Sequence, residues 1–559
     1  MYPYEKSKMF TKRYKKIKTL LKMVYGYDDF REKQYEIINR IICGEDVCAI
    51  CFTGFGKSVC FQIPALYLDK PAIIISPLIS LMDDQRLILD DLGISSCCYN
   101  SNVANKYQMK TDIMQFKYKF IYITPESVVN MKEFFLKLEE KQGISLIAID
   151  EAHCISSYGF DFRKTYRELT FFKEILPNVP ILAVTATATD VVGKDICKVL
   201  GFKHHEPIKT SFDRPNLFLE VREKTTMEKI KREKKKSNPI ANDIVPIIKK
   251  HAGKSIIIYC LTKKETAKIA EILSVHKIKC AIYHAGLDSD KKTKAHQDFL
   301  KNKVRVIAAT IAFGMGINKP DVRVVIHYGS PKNIEGYYQE IGRAGRDGKK
   351  SYCYAFYSFG DFKVQERFIA NSNDSLYQKN QLKLLEQMKK YMTTKKCRRE
   401  ILLEYFGDDP DEKCNFCDNC CGTHKDSEIK IVSTEQNVQK EAKMLIDLIE
   451  SIKTRNFGIA MYINILRGSA NKNITSIMRK SKYYGAGKHR SAVWWKEMSD
   501  NLIKQGFLQQ VYLKGGSFAM QVIKTTKQGI TWASMADLNG LLDGLAIVQL
   551  EPMKMVSSI

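Results

Sequence analysis

The chain has 559 residues, too many for a single core, and we expect three or four domains of about 100–200 residues each. Hydrophobic residues make up 45% of it and charged residues 27%, which fits a soluble globular protein. The net charge of +27 comes from 89 lysines and arginines against 62 acidic residues, and it indicates a polyanionic partner, with nucleic acid favoured over an anionic membrane.

The apolar stretches are too short to span a membrane. The longest, such as 72–76 and 255–260, have the length of a strand, so we expect no membrane partner. The first residues are basic and carry neither an apolar run nor a small-residue cleavage site, so no secretory signal is expected. Sixteen cysteines without such a signal favour a reducing compartment. We therefore expect an intracellular protein, in the nucleus of a cellular eukaryote or otherwise in the cytoplasm.

Short β-branched runs alternate with helix-length segments in two successive parts of the chain. Apolar runs of this length predict buried parallel strands in βαβ units. The predicted strands are 47–52, 72–76, 120–124, 146–149 and 181–184 in the first part, and 255–260, 280–284, 304–309, 324–327 and 352–357 in the second. Two α/β lobes follow from this pattern. The charged stretch 222–236 between them is interpreted as a solvated loop or a frayed helix.

Residues 53–58, Thr-Gly-Phe-Gly-Lys-Ser, lie between a predicted strand and a predicted helix. A phosphate-binding loop requires this context, because backbone N–H groups and a helix N-terminus then face the phosphates. Lys57 would reach the β- and γ-phosphates, and the Ser58 hydroxyl would bind Mg²⁺. The nucleotide contacts expected from this loop are Thr53, Gly54, Gly56, Lys57 and Ser58. Cys51 stands where the general pattern has its first glycine.

Two acidic residues, Asp150 and Glu151, follow the predicted strand 146–149. They are therefore expected at the carboxyl edge of a parallel sheet, where open α/β sheets bind ligands. Asp150 would hold Mg²⁺ through water, and Glu151 would orient and deprotonate the attacking water. Two surface acids at a strand end are the plainer interpretation, but the phosphate loop upstream favours catalysis.

The second lobe contains Gln339 followed by two arginines, Arg343 and Arg346. Arginines three apart share one helical face and can reach one γ-phosphate, where an arginine finger stabilises the transition state. We count all three residues as catalytic, although a basic surface helix is the alternative. Arginines supplied by the second lobe would make hydrolysis depend on closure of the two lobes.

In chain order, these stretches resemble the motif series of superfamily 2 helicases, together with 77–85, 185–189, 283–286 and 312–317. The resemblance implies two RecA-like lobes with ATP between them. The narrower resemblance is to RecQ DNA helicases, in which the segment holding Tyr27, Arg31 and Gln34 recognises adenine. It implies that Tyr27 stacks on the base and that Gln34 hydrogen-bonds its edge.

Residues 152–163 resemble the aromatic-rich loop that links DNA contact to ATP hydrolysis in this family. Aromatic rings stack on any base, so Tyr158, Phe162 and Arg163 are candidate contacts to single-stranded DNA. The family usually has Trp at the position of Tyr158 and His at the position of Phe160, so this chain departs from the family pattern at both positions. Partly buried packing is the alternative role for Tyr158 and Phe162.

Four cysteines follow the second lobe: Cys397, Cys414, Cys417 and Cys420. Their C-x₂-C steps and one distant ligand suit a closed tetrahedral Zn²⁺ site, and a reducing compartment favours zinc over disulfides. Cys421 and His424 are nearby alternative ligands, and an iron–sulfur cluster is the alternative centre. The segment resembles the RecQ zinc-binding region, and loss of a ligand should unfold it.

The region of about 441–528 resembles the RecQ winged helix at residues 466–468, 485–488 and 494–495. Its cationic side chains suit duplex phosphates. The candidate contacts are Lys482, Lys488 and Arg490, with Lys480 nearby. Trp494 and Trp495 are expected in the core. The pattern of residues 511–522 predicts a hairpin that would form the wing.

These patterns predict an α/β fold with two RecA-like lobes of parallel sheets (P-loop NTPase), a helical zinc-binding subdomain and a winged-helix domain. The expected boundaries are 1–210 and 211–375 for the lobes, 376–430 for the zinc region, 431–530 for the winged helix and 531–559 for a tail. The resemblance implies a 3′→5′ DNA helicase that uses ATP, Mg²⁺ and Zn²⁺ on single-stranded and duplex or forked DNA. A DEAH-type RNA helicase and a non-catalytic DNA-binding or annealing protein are the alternatives.

Overall fold

The computed structural model describes residues 8–156, 158–159, 161–226, 238–313, 319–371, 375–410, 414–422, 439–452, 457–470, 474–515 and 518–535. The chain divides into two compact units, Met1–His424 and Lys425–Ile559. Among the described residues, no helix is both long enough and apolar enough to cross a bilayer.

The first lobe is built on a seven-stranded parallel sheet of order β3-β4-β2-β5-β6-β1-β7. Its strands are β1 Val47–Ile50, β2 Ala72–Ile75, β3 Ser96–Tyr99, β4 Phe120–Ile123, β5 Leu146–Ile149, β6 Ile181–Thr185 and β7 Ile208–Lys209. Its helices are α1 Lys8–Tyr25, α2 Gln34–Ile42, α3 Lys57–Leu68, α4 Ile79–Asp91, α5 Lys106–Met114, α6 Pro125–Val128, α7 Lys132–Gln142, α8 Lys164–Arg167, α9 Phe171–Ile175 and α10 Asp190–Val199. Every residue of β1 to β6 is buried, because helices cover both faces of the sheet.

The second lobe has a six-stranded parallel sheet of order β10-β11-β9-β12-β13-β8. Its strands are β8 Leu217–Glu223, β9 Ser255–Cys260, β10 Cys280–Tyr283, β11 Val306–Ala309, β12 Val322–Tyr328 and β13 Ser351–Tyr357. Its helices are α11 Pro239–Lys250, α12 Lys263–Val275, α13 Ser289–Leu300, α14 Ile334–Ile341 and α15 Phe359–Ala370. The carboxyl ends of the strands in each sheet share one edge, where loops can carry a site.

All ten predicted strands are present, and three further strands, β3, β7 and β8, were not predicted. Strand β3 reads Ser-Cys-Cys-Tyr and β7 has only two residues, so neither carries an apolar run. Strand β8 lies at the sheet edge and includes Glu220 and Arg222. The predicted charged loop therefore begins as a strand, and its residues from 227 onward lie outside the described ones.

The cysteine-containing region packs on the second lobe through buried polar contacts. It consists of α16 Ser375–Thr393, α17 Arg398–Phe406 and α18 Asp418–Cys421. Nε of Arg398 donates to Oδ1 of Asp418 at 2.6 Å, and both side chains are buried. The other carboxylate oxygen of Asp418 accepts from the backbone N–H of Val221 in β8 at 2.9 Å. The carboxylate of this buried ion pair therefore accepts a hydrogen bond from a backbone N–H of the edge strand β8, and it fixes the cysteine-containing region on the second lobe.

The second unit is a small helical domain with a two-stranded wing. It contains α19 Gln439–Ser451, α20 Ile459–Leu466, α21 Ser476–Arg479, α22 Ala492–Lys504, β14 Leu508–Gly515, β15 Phe518–Thr525 and α23 Lys527–Met535. The antiparallel strands β14 and β15 confirm the predicted hairpin and extend it at both ends. The predicted tail lies outside the described residues from 536 onward.

Trp494 and Trp495 lie in the core of this unit, as predicted. Nε1 of Trp495 donates to the carbonyl of Gly487 at 3.0 Å. A Cβ at Gly487 would lie 2.6 Å from the Trp495 ring, so a glycine is required where the loop meets the ring.

Candidate functional site

A cavity of about 470 Å³ lies between the two lobes, and residues of both lobes line it. Every residue predicted to act in catalysis or to bind the nucleotide contributes to its wall. These are Tyr27, Arg31, Gln34, Thr53, Gly54, Gly56, Lys57, Ser58, Asp150, Glu151, Gln339, Arg343 and Arg346. The fold thus brings together residues that the sequence separates by up to about 300 positions.

The phosphate-binding loop has the predicted strand–loop–helix context, since β1 ends at Ile50 and α3 begins at Lys57. Gly54 and Gly56 have φ values of +92° and +94°, in the left-handed region that favours glycine. A Cβ at Gly56 would lie 2.7 Å from Nε2 of Gln34. Only glycine therefore allows both the turn and this close approach.

The segment predicted to recognise the base is bonded directly to this loop. Nε2 of Gln34 donates to the carbonyl of Phe55 at 2.9 Å, and its Oε1 accepts from the backbone N–H of Arg31 at 2.8 Å. The Arg31 guanidinium donates to the carbonyl of Gly54. The Tyr27 ring is 56% exposed, as stacking on a base requires. Base recognition and phosphate binding are thus joined by hydrogen bonds.

The two predicted acids follow β5 at the sheet edge. Burial, and then the negative charge of Glu151, raise the pKa of Asp150. Glu151 has a φ of +51°, in the left-handed region, which is uncommon for a non-glycine residue and is found at functional sites. Burial lowers the pKa of His153, and its Nδ1 lies 2.9 Å from Oγ1 of Thr185. This contact therefore holds the acidic turn to the segment 185–189, which begins at the last residue of the neighbouring strand β6.

The second lobe reaches the first at Gln339 and Gly342. Nε2 of Gln339 donates to Oε1 of Glu151 at 3.2 Å. A Cβ at Gly342 would lie 2.6 Å from Cβ of Thr53, so the backbone of the second lobe touches the phosphate-binding loop. The two lobes are therefore in direct contact at the cavity.

The two predicted arginines are buried in the wall of the cavity. Nε of Arg343 is buried without a hydrogen-bond partner among the described residues. Burial, and then the positive charges of Arg343 and Arg214, lower the pKa of Arg346 to about 9. Clustered cations of this kind favour a polyanionic ligand, because phosphate oxygens would relieve the repulsion and accept from Nε of Arg343.

Arg214 was not identified from the sequence. It lies between the lobes, with Nη1 donating to the carbonyl of Thr53 at 2.7 Å and Nη2 donating to the carbonyls of Ala344 and Gly345 at 3.0 Å each. In the sequence it is one arginine in a short stretch without periodicity, so no local signal distinguishes it.

The four predicted zinc ligands lie together, with their sulfur atoms all within 4.8 Å of one another. A tetrahedron of Zn–S bonds of about 2.3 Å has sulfur atoms about 3.8 Å apart. Sγ of Cys414 and Sγ of Cys420 are separated by 3.9 Å, so the donor set fits zinc. The sulfur of Cys421 faces the carbonyl of Asn415 at 3.3 Å, outside the cluster. His424 lies outside the described residues.

The residues of the first unit that are predicted to contact single-stranded DNA differ in their surroundings. Tyr158 is 61% exposed, which leaves its ring accessible for stacking and disfavours a packing role. The Phe162 ring lies 5.7 Å from the Arg167 guanidinium. Nη2 of Arg163 donates to Oδ2 of Asp161 at 3.1 Å, so this arginine is already paired. The position of Phe160 lies outside the described residues.

Among the predicted duplex contacts of the second unit, Lys482 and Lys488 are exposed. Arg490 is ion-paired: its Nη2 lies 3.0 Å from Oε1 of Glu441, and its guanidinium is 4.5 Å from the centre of a Trp494 ring. The lysines are therefore free to meet phosphates, whereas Arg490 holds α19 to the core.

Four protein-family models match the chain in succession. They are DEAD/DEAH box helicase at 31–194, Helicase conserved C-terminal domain at 239–348, RecQ zinc-binding at 359–421 and RQC domain at 433–534. The two RecA-like lobes, the cysteine region and the winged helix correspond to these matches in order.

Individual relatives extend the match along the chain. A protein of Acanthamoeba polyphaga mimivirus, named as an ATP-dependent RNA helicase, is 69% identical over the whole of both chains. The ATP-dependent DNA helicase RecQ of Haemophilus influenzae is 36% identical over 88% of this chain and 76% of its own. The bifunctional 3′-5′ exonuclease/ATP-dependent helicase WRN of Mus musculus is 37% identical over 92% of this chain, which spans only 37% of that longer protein. On these matches, the chain belongs to the RecQ family of ATP-dependent helicases.

Proposed function

We propose that this chain is a DNA helicase that moves 3′→5′ on single-stranded DNA and unwinds duplex or forked DNA, in repair, recombination or replication. The observation that carries the proposal is the cavity to which the first lobe contributes Asp150 and Glu151 and the second lobe contributes Arg343 and Arg346. Hydrolysis in such a site requires both lobes, so ATP binding and product release can drive their closure and opening.

The residues of the cavity have different roles in phosphoryl transfer. Lys57 binds the β- and γ-phosphates, and Glu151 orients and deprotonates the attacking water. Arg343 and Arg346 stabilise the charge that develops on the γ-phosphate. Gln339 holds Glu151 through its 3.2 Å hydrogen bond and makes the position of the base depend on lobe closure.

Mg²⁺ would be held by the Ser58 hydroxyl and, through water, by the Asp150 carboxylate. Both side chains line the same cavity, and oxygen donors of this kind suit a hard cation. When bound, the ion would neutralise charge on the β- and γ-phosphates. At the other end of the cavity, Tyr27 stacks on the base and Gln34 holds the base segment to the phosphate loop.

The DNA strand would lie against the aromatic loop, with Tyr158 and Phe162 stacking on bases and Arg163 reaching a phosphate. Lys482 and Lys488 of the winged helix would contact duplex phosphates. We assign residues 1–210 and 211–375 to the motor lobes, 376–430 to a structural zinc region and 431–530 to the duplex-binding domain. A site of four reduced thiols also favours a reducing compartment that holds DNA.

An RNA helicase is the second candidate, because the mimivirus relative carries that name. The RecQ zinc-binding and RQC matches favour DNA, since both accompany the relatives named as DNA helicases. Unwinding of a 3′-tailed DNA duplex should be compared with that of a 5′-tailed DNA duplex and a 3′-tailed RNA duplex of the same sequence. We expect activity on the 3′-tailed DNA, and activity on RNA alone would contradict the proposal.

A non-catalytic DNA-binding or annealing protein is the third candidate, and the complete set of catalytic side chains in the cavity argues against it. DNA-stimulated ATP hydrolysis by the wild type should be compared with that of Lys57→Ala. We expect this substitution to abolish hydrolysis and unwinding while DNA binding persists. Hydrolysis that survives in Lys57→Ala would refute the assignment of the site.

A further inference from the structure

The linker between the lobes, residues 210–216, passes directly beside the nucleotide cavity. It joins β7 of the first sheet to β8 of the second. Arg214 in this linker is only 8% exposed, and its guanidinium donates hydrogen bonds to both lobes. We propose that Arg214 is a positioning residue for ATP hydrolysis, which holds the turn bearing Arg343 and Arg346 against the phosphate-binding loop.

Four hydrogen bonds of the Arg214 guanidinium run to backbone carbonyls on two sides, and a fifth runs from Nε to Oδ1 of Asn216 at 3.4 Å. Nη1 donates to the carbonyl of Thr53 at 2.7 Å and more weakly to that of Gly342 at 3.4 Å. Nη2 donates to the carbonyls of Ala344 and Gly345 at 3.0 Å each. A planar guanidinium can serve several acceptors in a fixed geometry, which a single ammonium cannot. Arg214 therefore clamps the two lobes at their closest approach.

These carbonyls flank the catalytic arginines in the chain. Gly342 precedes Arg343, while Ala344 and Gly345 lie between it and Arg346. A Cβ at Gly54 would lie 3.4 Å from Cγ of Arg346 and 3.8 Å from Nη1 of Arg214, so both side chains pack against the phosphate-binding loop. Loss of the Arg214 clamp would free the turn and displace both guanidinium groups.

The zinc-binding region holds the linker on both sides of Arg214. Nη1 of Arg399 in α17 donates to Oδ1 of Asp213 at 2.5 Å, and Nη2 donates to the carbonyl of Leu217 at 2.8 Å. Oδ2 of Asp408 accepts from the backbone N–H of Phe212 at 2.5 Å. The position of Arg214 is therefore set from outside the motor lobes.

Arg214 does not belong to the wall of the nucleotide cavity, and the acceptors of its described hydrogen bonds are carbonyl oxygens of the protein. Its removal should therefore leave ground-state nucleotide binding in place and weaken the transition state. Misplacement of a catalytic group by about 1 Å can cost about 100-fold in rate. We expect Arg214→Met to lower kcat by about 10- to 100-fold, with KM for ATP changed by less than about threefold.

The test compares Arg214→Met and Arg214→Lys with the wild type in DNA-stimulated ATP hydrolysis. Arg305→Met is the matched control, because Arg305 is an exposed arginine of the second lobe whose guanidinium donates, within the described part of the chain, only to Oδ1 of Asn302 at 3.5 Å, away from the clamp. Affinities for a fluorescent ADP and for ADP with aluminium fluoride, a transition-state analogue, are measured on each protein. Zinc content and thermal melting check the fold.

We expect ADP affinity to be unchanged in Arg214→Met and affinity for the aluminium fluoride complex to fall by the same factor as kcat. Arg214→Lys keeps the positive charge but lacks the planar guanidinium, so its kcat should fall by about tenfold. If Arg214→Met loses zinc or melts at a lower temperature than the wild type, the kinetics of Arg214→Lys are used to test the proposal. Equal losses of both affinities, or a kcat within about twofold of wild type, would overturn the proposal.

The inference rests on the proposed ATP site, and the two can fail separately. If Lys57→Ala still hydrolyses ATP, the site itself is wrong. If Lys57→Ala is inactive while Arg214→Met and Arg214→Lys retain wild-type kcat, only the role of Arg214 is wrong.

Discussion

Nε2 of Gln339, in the second lobe, donates a hydrogen bond to Oε1 of Glu151, in the first lobe, at 3.2 Å. Glu151 follows β5 in a left-handed conformation, so its side chain leaves the sheet edge at an angle that ordinary extended backbone would not give. The proposed base for water activation is therefore oriented by the opposite lobe. On the proposed mechanism, separation of the lobes would break this hydrogen bond and remove the orientation of the base.

Replacing Gln339 should reduce turnover without preventing ATP binding. Gln339→Met removes the amide that orients Glu151, and we expect kcat to fall by about 10- to 100-fold with a small change in KM. Gln339→Glu should be more severe near neutral pH, because it places a second carboxylate beside Glu151. Steady-state ATPase kinetics would check both. A Gln339→Glu variant more active than Gln339→Met would contradict this role.

Gly342 should be intolerant of any side chain because the lobes meet at its Cα. A Cβ there would lie 2.6 Å from Cβ of Thr53, a distance at which something must move. We expect Gly342→Ala to hold the lobes apart and to lower kcat/KM for ATP by about 10-fold or more. Gly360→Ala is the control, because a Cβ at Gly360 has no neighbour nearer than 3.5 Å. Similar kinetics for the two variants would refute the contact.

Substitution of a zinc ligand should destabilise the zinc region and not merely weaken metal binding. Cys417 is fully buried and pairs with Leu219 of β8, so Cys417→Ser should lose zinc and several kcal/mol, on the order of 3–5, of stability. Cys421→Ser is the matched control, since its sulfur lies outside the cluster. Metal analysis and thermal melting of both variants give the comparison. Full zinc content in Cys417→Ser would show that another group completes the site.

The basic residues of the winged helix should respond differently to substitution. Lys482→Gln and Lys488→Gln should each reduce the slope of log K for duplex binding against log salt concentration by about one. Neither substitution should change the melting temperature. Arg490→Met should instead lower stability by about 1–3 kcal/mol, because it removes the arginine from the buried Glu441 and leaves, among the described residues, only His489 near that carboxylate, at 3.4 Å. Binding isotherms at several salt concentrations and melting curves separate the two effects. A melting temperature of Arg490→Met equal to that of wild type would contradict the structural role.

The sequence by itself determined the two lobes and, within each segment, the side chains that line the cavity or cluster as four cysteines, because each segment depends on local geometry. A turn that follows a buried strand necessarily reaches the sheet edge, as at Lys57 and Asp150, and two C-x₂-C steps bring their sulfur atoms together over one turn. The residues Tyr27 and Gln34 were found by resemblance, through a motif that is continuous in the chain.

Only the tertiary structure decided the contacts between distant segments. Arg214 lies 161 positions from Thr53 and 130 from Ala344, so no spacing or periodicity connects them. The pairing of Arg490 with Glu441 likewise joins residues 49 positions apart and gives a candidate DNA contact a structural partner. The physical reason is that a buried guanidinium takes its role from the acceptors around it, and these are assembled only when the lobes and helices pack.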